Sequence, residues 1–349
     1  MNSGSKFPSR WAGMQDWAER IRRGEPLPPV LGAALQAATV IPRAGMWLRL
    51  RSRRARVDAR VISFGNITAG GVGKTPDVIE RAGFELAAGR KVAVITRGYR
   101  AQKTSEPLAV SSHDLADDLA DRIGDEAALI LRRVPDVIVV KAAKRVAGAR
   151  LAIAQYGCDT LILDDGFQHV ALERDENILL IDAVNPFGNG YLIPRGILRE
   201  PLRAIRRATA IILTRCDQCP DPDAIARRVR ALHPDVPIRR TIHAPDRFYR
   251  VSDGTSLSLE TLCREPVHAV CAIGSPESFF KTLESLGLDL ASRKTFPDHA
   301  DIPADALPRN GWVLITEKDA VRLRATRDNI VALAVSLRDC QCGQPSSTT

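Results

Sequence analysis

Aromatic residues are scarce: Phe, Trp and Tyr make up 5% of the 349 residues. Grooves for single-stranded nucleic acid stack bases on aromatic rings, and no basic stretch here is studded with them, which argues against nucleic acid as a partner. Cysteine is sparse and odd in number, with seven along the whole chain. That spread does not form a disulfide framework, so a reducing cytoplasm is expected. The pairs Cys216-x-x-Cys219 and Cys340-x-Cys342 are too unequal and too distant along the chain to assemble a zinc knuckle by spacing. No apolar run reaches the ~20 residues that a bilayer crossing needs. The N-terminus lacks the early apolar core of a secretory signal, and no internal repeat is found.

The charge is mixed, 50 Lys and Arg against 41 Asp and Glu, leaving a formal excess of +9. Such an excess suits nucleic acid, anionic lipid or a phosphorylated substrate equally. Part of it is concentrated: seven arginines fall between Arg43 and Arg60, opposed only by Asp58, with Met46, Trp47 and Leu48 interleaved. Just before them lies an apolar, almost uncharged segment, 29–42. A short apolar helix, an arginine cluster and a tryptophan fit an interfacial anchor on an anionic membrane. They fit an ordinary surface helix equally well.

The most informative stretch is Ser63-Phe-Gly-Asn-Ile-Thr-Ala-Gly-Gly-Val-Gly-Lys-Thr-Pro76. It lies between the β-branched run Arg60-Val-Ile-Ser-Phe64 and a helix-compatible segment from Asp77. Strand, glycine-rich turn, Gly-Lys-Thr and helix form the context of a phosphate-binding P-loop. There, backbone N–H groups converge on phosphate oxygens at a helix N-terminus. Thr68, Gly70, Gly71, Val72, Gly73, Lys74 and Thr75 are the candidate nucleotide-binding residues. Lys74 is expected at the β- and γ-phosphates, and the Thr75 hydroxyl on Mg²⁺. Thr68 stands where the consensus has its first glycine.

Downstream, apolar runs alternate with helical stretches, which predicts a mostly parallel sheet flanked by helices. Strands are expected at 91–96, 137–140, 160–163 and 177–181, and helices at about 77–88, 114–133, 143–156 and 222–232. A second, smaller α/β region is expected from Thr209, with strands near 267–272, 312–315 and 330–336 and a helix at 276–286. The expected division is an N-terminal region 1–56, a P-loop domain 57–208, a C-terminal domain 209–337 and a disordered tail 338–349. The run 184–201 interrupts the rhythm. It is too rich in Gly and Pro for a core element and too apolar for a plain linker, which marks a functional loop. Arg195, Arg199 and Arg203 punctuate it with phosphate-compatible guanidinium groups.

Leu161-Ile-Leu-Asp-Asp-Gly-Phe-Gln-His169 is the second strong motif. A strand ending in two carboxylates beside a P-loop fits a Walker B element. One carboxylate would hold Mg²⁺ and the other orient a nucleophile; Asp164 is the candidate metal ligand and Asp165 the candidate catalytic residue. Gly124-Asp-Glu126 and Phe296-Pro-Asp-His299 are weak when taken singly.

Two function classes compete. Thr214-Arg-Cys-Asp217 imitates the guanine-reading element of a GTPase switch, but Leu163 stands where the switch aspartate belongs. Partition-type ATPases carry a signature lysine at the position of Ala69. A small-molecule kinase lacks only the first P-loop glycine. The chain resembles the tetraacyldisaccharide 4′-kinase family over residues 28–335. The resemblance is carried by Gly65-Asn66, the P-loop through Pro76, Thr96-Arg-Gly-Tyr99, Gly124-Asp-Glu126, Asp164-Asp-Gly-Phe-Gln-His169, Leu198-Arg-Glu-Pro201, Phe296-Pro-Asp-His299 and Thr316-Glu-Lys-Asp-Ala320. It departs from the family pattern at Arg100, Ala127, Ala300 and the run Pro194-Arg-Gly-Ile197, none of which carries a group needed for phosphoryl transfer.

The resemblance implies transfer of the ATP γ-phosphate, with Mg²⁺, to the 4′-hydroxyl of a tetraacylated glucosamine disaccharide 1-phosphate. It implies a catalytic dyad of Asp125 and His299, alongside Lys74 and Asp165. It points to Tyr99, Gln168, His169, Arg199 and Glu200 as substrate contacts. It also implies a C-terminal part that closes on the P-loop domain. With the basic anchor, it implies a monotopic protein on the cytoplasmic face of the inner membrane.

Overall fold

The computed structural model describes residues 20–21, 25, 27–51, 53–116, 118–324 and 327–340. Thirteen strands form one sheet: β1 (Arg60–Asn66), β2 (Val92–Thr96), β3 (Leu108–Val110), β4 (Ile138–Lys141), β5 (Thr160–Leu163), β6 (Glu176–Asp182), β7 (Ala210–Thr214), β8 (Ile238–Arg250), β9 (Ser256–Leu257), β10 (Val267–Cys271), β11 (Leu290–Thr295), β12 (Trp312–Thr316) and β13 (Ile330–Asp339). Their order is β11-β10-β12-β13-β8-β7-β6-β1-β5-β2-β4-β3, with β9 attached to β8. The strands expected from apolar runs sit in the middle of each half. β1 and β5 are buried on both faces, as parallel strands covered by helices must be.

Strand β8 is the spine. Its first residues, Ile238–Arg240, pair in parallel with β7, and the rest pairs antiparallel with β13. The register shifts where Pro245 and Arg247 face Val335 and Ala334, leaving Asp246 as the extra residue. Proline has no N–H to give the ladder, so a bulge is expected there. The boundary expected at 208/209 falls just before β7. Segment 210–214 is hydrogen bonded to β6 and belongs to the P-loop half, and the sheet changes character inside β8.

The centre of the P-loop half is flanked by helices α3 (Lys74–Ala87), α5 (Asp125–Arg133) and α6 (Arg145–Tyr156). Val78 and Ala82 of α3 and Ala128 and Ile130 of α5 pack on Ile62, Val94 and Ile162; Ala149 and Ala152 of α6 pack on Ile95 and Leu161 across the sheet. The single helix expected over 114–133 is two, α4 (Leu119–Ile123) and α5. Gly124 separates them at φ 95°, and a Cβ there would come within 3.0 Å of the Tyr99 carbonyl oxygen. Helix α7 (Pro222–Leu232) starts under an Asp221 cap. In the other half, the short α8 (Leu259–Leu262) and then α9 (Pro276–Ser285) follow β9 and β10; Phe279, Phe280 and Leu283 of α9 cover Ala269, Leu314 and Val331. The last helix, α10 (Glu317–Ala320), is a single turn capped by Thr316.

The apolar segment 29–42 is not one helix. Helix α1 (Pro29–Ala38) ends at Thr39, and α2 (Val40–Arg51) begins at once. Among the described residues no helix is long and apolar enough to cross a membrane. Strand β13 continues to Asp339, two residues into the expected tail 338–349; residues 341–349 lie outside the described residues.

Asp77 in α3 is buried, and neither carboxyl oxygen has a hydrogen-bond partner. Burial, reinforced by the charge of Glu80, pushes its pKa up to about 8. The folded chain thus keeps a proton that the unfolded chain gives up near pH 4, so this group favours folding less and less as pH rises from about 4 to 8. Asp77→Asn removes the titration. Its melting temperature, read by differential scanning fluorimetry, should match the parent near pH 4 and exceed it by a few degrees near pH 8.

Candidate active site

A cavity of about 1190 Å³ opens where the two halves of the sheet meet. Its floor is built by the P-loop. Strand β1 ends at Asn66, whose Nδ2 donates to the Thr68 carbonyl oxygen at 2.8 Å, and Lys74 Nζ donates to Asn66 Oδ1 at 3.3 Å. Gly73 caps α3 in the left-handed region, φ 76°. A Cβ at Gly73 would lie 2.1 Å from Cε1 of His243, so only glycine fits both the backbone angle and the packing. His243 stands on β8, which sequence patterning did not identify. Burial, aided by Arg215, pulls its pKa down to about 4, and the ring supports the P-loop without charge at neutral pH.

The Gly/Pro-rich run clasps the P-loop. Ala69 N–H donates to the Ile197 carbonyl at 2.6 Å, and Arg199 N–H to the Ile67 carbonyl at 2.7 Å. Arg199 is thereby delivered to Asp165, 2.9 Å away, which Lys74 approaches at 3.2 Å from the other side. Burial works against the Asp165 charge, but these two cations outweigh it and hold its pKa at about 2. Its neighbour Asp164 behaves in the opposite way. Burial first, then the negative charge of Glu126, raises its pKa to about 7. Asp164 Oδ1 is buried with no partner, while Oδ2 meets the Thr96 hydroxyl at 3.4 Å. A buried carboxylate oxygen without a partner, lining a cavity with the P-loop hydroxyl Thr75, fits a divalent cation.

The opposite wall holds a second cluster. Gly124 turns the chain so that Asp125 starts α5 facing the cavity. His299, on the loop after β11, adopts φ 61°, and its N–H donates to the Ala272 carbonyl at 2.9 Å. Its Nδ1 lies 2.6 Å from Asp125 Oδ2. Burial raises the Asp125 pKa, but the hydrogen bond from His299, with the positive charge of Lys318 further off, prevails and holds it below the usual carboxylate value. The Tyr99 ring is tilted against the imidazole, 5.0 Å between centroids. Arg100 and Arg322 both donate to the His299 carbonyl oxygen.

Of the expected site residues, Gly70 to Thr75, Tyr99, Asp125, Asp164, Asp165, Gln168, His169, Arg199 and His299 all line this one cavity. Two do not. Thr68 is buried in a bridge to Leu198. Glu200 is buried beneath the loop, paired with Arg207 at 2.8 Å and accepting from Gln168 Nε2 at 2.9 Å. Both shape the lining from behind, because a P-loop this closely clasped turns those side chains inward. Sequence reading left Lys318 without a role and missed His243. The imitation guanine motif has another purpose here: Thr214 Oγ1 donates to the Val72 carbonyl at 2.9 Å, and Arg215 is ion-paired with buried Asp182.

A family profile described as tetraacyldisaccharide-1-P 4′-kinase matches residues 30–344. A tetraacyldisaccharide 4′-kinase of Anaeromyxobacter dehalogenans strain 2CP-C is 39% identical over 325 residues, 88% of this chain and 84% of the relative. One from Syntrophobacter fumaroxidans is 38% identical over 320 residues, 87% and 82% of the two chains. The crystal structure of LpxK from Aquifex aeolicus in complex with ATP superposes with a TM-score of 0.67 at 26% identity, covering 95% of both chains. With its matched region running nearly end to end, this chain belongs to the tetraacyldisaccharide 4′-kinase family.

Proposed function

We propose that the chain transfers the γ-phosphate of ATP to the 4′-hydroxyl of a tetraacylated glucosamine disaccharide 1-phosphate, a step of lipid A synthesis. The observation that carries this reading is the single cavity shared by Lys74 of the P-loop and the Asp125–His299 pair. Phosphoryl transfer asks a protein mainly for positioning and charge stabilisation, and both walls supply it. The P-loop amides and Lys74 receive the phosphates, and Arg199, already aimed by the clasping loop, adds positive charge. Asp125, ionised at neutral pH, accepts the hydroxyl proton, and His299 holds it in place. The low basicity of Asp125 suffices because little proton transfer is needed early in a loose transition state. Thr75 and Asp164 would hold Mg²⁺, which neutralises phosphate charge when bound. Tyr99, Gln168 and His169 line the acceptor side. Arg133 meets Glu317, a residue of the cavity lining, at 2.8 Å, and the exposed pair Arg324–Asp121 at 2.8 Å also links the two halves. These ties support closure against water, the competing acceptor. Radiolabelled ATP incubated with the acylated disaccharide 1-phosphate tests the reading. Label should enter the lipid only with lipid and Mg²⁺ both present, and label released solely as inorganic phosphate would refute it.

The acceptor is a multiply acylated lipid, so the protein should meet it at a bilayer. Helices α1 and α2 leave Val30, Val40, Trp47 and Leu48 more than half exposed. The Arg51 guanidinium lies 3.8 Å over the Trp47 ring. Arg195 Nη1 donates to Gln36 Oε1 at 3.1 Å, linking α1 to the loop that carries Arg199. Apolar burial plus arginine attraction, about 1 kcal/mol per residue near anionic lipid, supports a monotopic protein on the cytoplasmic face of the inner membrane. The full chain should co-sediment with anionic vesicles at low salt and detach in part at high salt. Deleting residues 1–45 should weaken vesicle binding while ATP binding persists. A full chain that stays in the supernatant at low salt would refute the anchor.

A further inference from the structure

Lys318, in the single turn α10, reaches the dyad from behind. Its Nζ lies 3.0 Å from His299 Nε2, 3.3 Å from Glu126 Oε1 and 3.7 Å from Asp298 Oδ1. An ammonium has three donors and no acceptor, so a ring nitrogen at that distance must present its lone pair. With Nε2 unprotonated, the ring's proton sits on Nδ1 and points at Asp125 Oδ2, 2.6 Å away. We infer that Lys318 is a positioning residue for the transfer reaction, holding His299 as the neutral Nδ1–H tautomer aimed at Asp125. The inference rests on the reading of this cavity as a kinase site.

The turn that carries Lys318 is built to hold it still. Thr316 caps α10 by accepting from Asp319 N–H at 3.2 Å, and its hydroxyl donates to Asp319 Oδ2 at 2.6 Å. The Asp319 oxygens accept from Ala272 N–H at 3.2 and 3.3 Å, the residue whose carbonyl receives the His299 N–H. Lysine and histidine are therefore referenced to the same point of the backbone. Burial opposes the Lys318 charge, but Glu126, Asp298 and Asp125 outweigh it and hold its pKa above the ordinary lysine value.

Every charged group around the ring bears on its protonation. Asp125 and Glu126 come from α5, and Asp298 precedes the histidine, its Oδ1 3.7 Å from Nε2. Arg100 and Arg322 bind the His299 carbonyl oxygen, and Arg322 also stands 3.5 Å from Asp125. Tyr99 covers the ring face. Without Lys318, the imidazole would face a carboxylate at each nitrogen, Asp125 and Asp298, an arrangement that favours imidazolium. An imidazolium bonded to Asp125 weakens it as a proton acceptor, whereas a neutral imidazole leaves it available.

Nitrogen-detected NMR of the full-length chain, labelled in its histidines and with His299 assigned by its loss in His299→Ala, tests this directly. At pH 7 the parent should show Nδ1 protonated and Nε2 bare. In Lys318→Met both nitrogens should carry protons. Lys318→Arg, which keeps a cationic donor, should return the parent pattern. In turnover, Lys318→Met should fall about tenfold or more at pH 7 and recover toward the parent as pH rises to 9, where imidazolium gives way to neutral imidazole. Its KM for ATP should be unchanged. An imidazolium or an Nε2–H tautomer in the parent overturns the inference whether or not the variant folds, as does a Lys318→Met pH profile that superposes on the parent's. A parent that labels no lipid at all, yet shows the bare Nε2, would count against the kinase reading and not against the tautomer.

Discussion

Lys74→Ala should abolish turnover, lowering kcat by about 10³-fold, while the chain stays folded. Removing one preorganised charge-stabilising group from a transition state commonly costs 10²–10³-fold, and Lys74 is expected to follow charge moving from the β,γ-bridge to the transferred group. The structural cost is small. Lys74 is held by Asn66 Oδ1 at 3.3 Å and Asp165 at 3.2 Å. Its loss does not strand the carboxylate, because Arg199 remains 2.9 Å from Asp165. The variant should therefore melt within a few degrees of the parent and keep its circular dichroism. Activity within about tenfold of the parent, ~1.4 kcal/mol of barrier, would mean that residues 68–75 do not cradle the transferring phosphate.

Legibility in the sequence followed burial and continuity. Strands β1 and β5 are short apolar runs that end in residues with obvious chemistry, Gly65-Asn66 and Asp164-Asp165. A central parallel strand buried on both faces has to look that way. Strand β8 was invisible for the opposite reason. Ile238–Arg250 carries Arg239, Arg240, Arg247 and Pro245, and most of it is only partly buried. Its order comes from pairing with β13, which lies far along the chain, and that pairing leaves no local pattern. His243 went unseen with it. The edge strand β11, Leu290–Thr295, is largely exposed and equally unmarked. The apolar positions of 114–133 run on through Gly124 and so predict one continuous helix. There the need for a positive φ and a close approach to Tyr99 outweighs helical periodicity. At the site, motif residues were recognisable individually, yet their grouping depends on tertiary contact. Nothing near Lys318 in the chain announces that it will stand against a histidine nineteen positions earlier. Thr68 and Glu200 show the converse: residues inside strong motifs that support the cavity from behind it.

The acid–base pair makes the other large prediction. Asp125→Asn keeps the shape of the side chain but removes the proton acceptor, and turnover should fall by about 10²–10⁴-fold, the range of a positioned general base. His299→Ala removes the 2.6 Å partner of Asp125 and should produce a comparable loss. Neither change should unfold the chain. Arg322 still offers a donor at 3.5 Å to position 125, and the His299 backbone is fixed by Ala272 and by two arginines on its carbonyl oxygen. If the two side chains act as one unit, the double variant should cost little more than the worse single one, as groups that share a task lose it only once. The cycle is read as kcat on saturating acylated disaccharide 1-phosphate, with ATP binding measured alongside to show that the P-loop is intact. Losses that add in full would mean that the residues act independently. Asp165 would then be the better base, although its pKa near 2 and its two bound cations make it a poor one. Asp125 has the orienting imidazole and the open cavity in front of it, whereas Asp165 is already engaged by both Lys74 and Arg199. That difference in electrostatic surroundings is the physical ground for expecting a non-additive cycle.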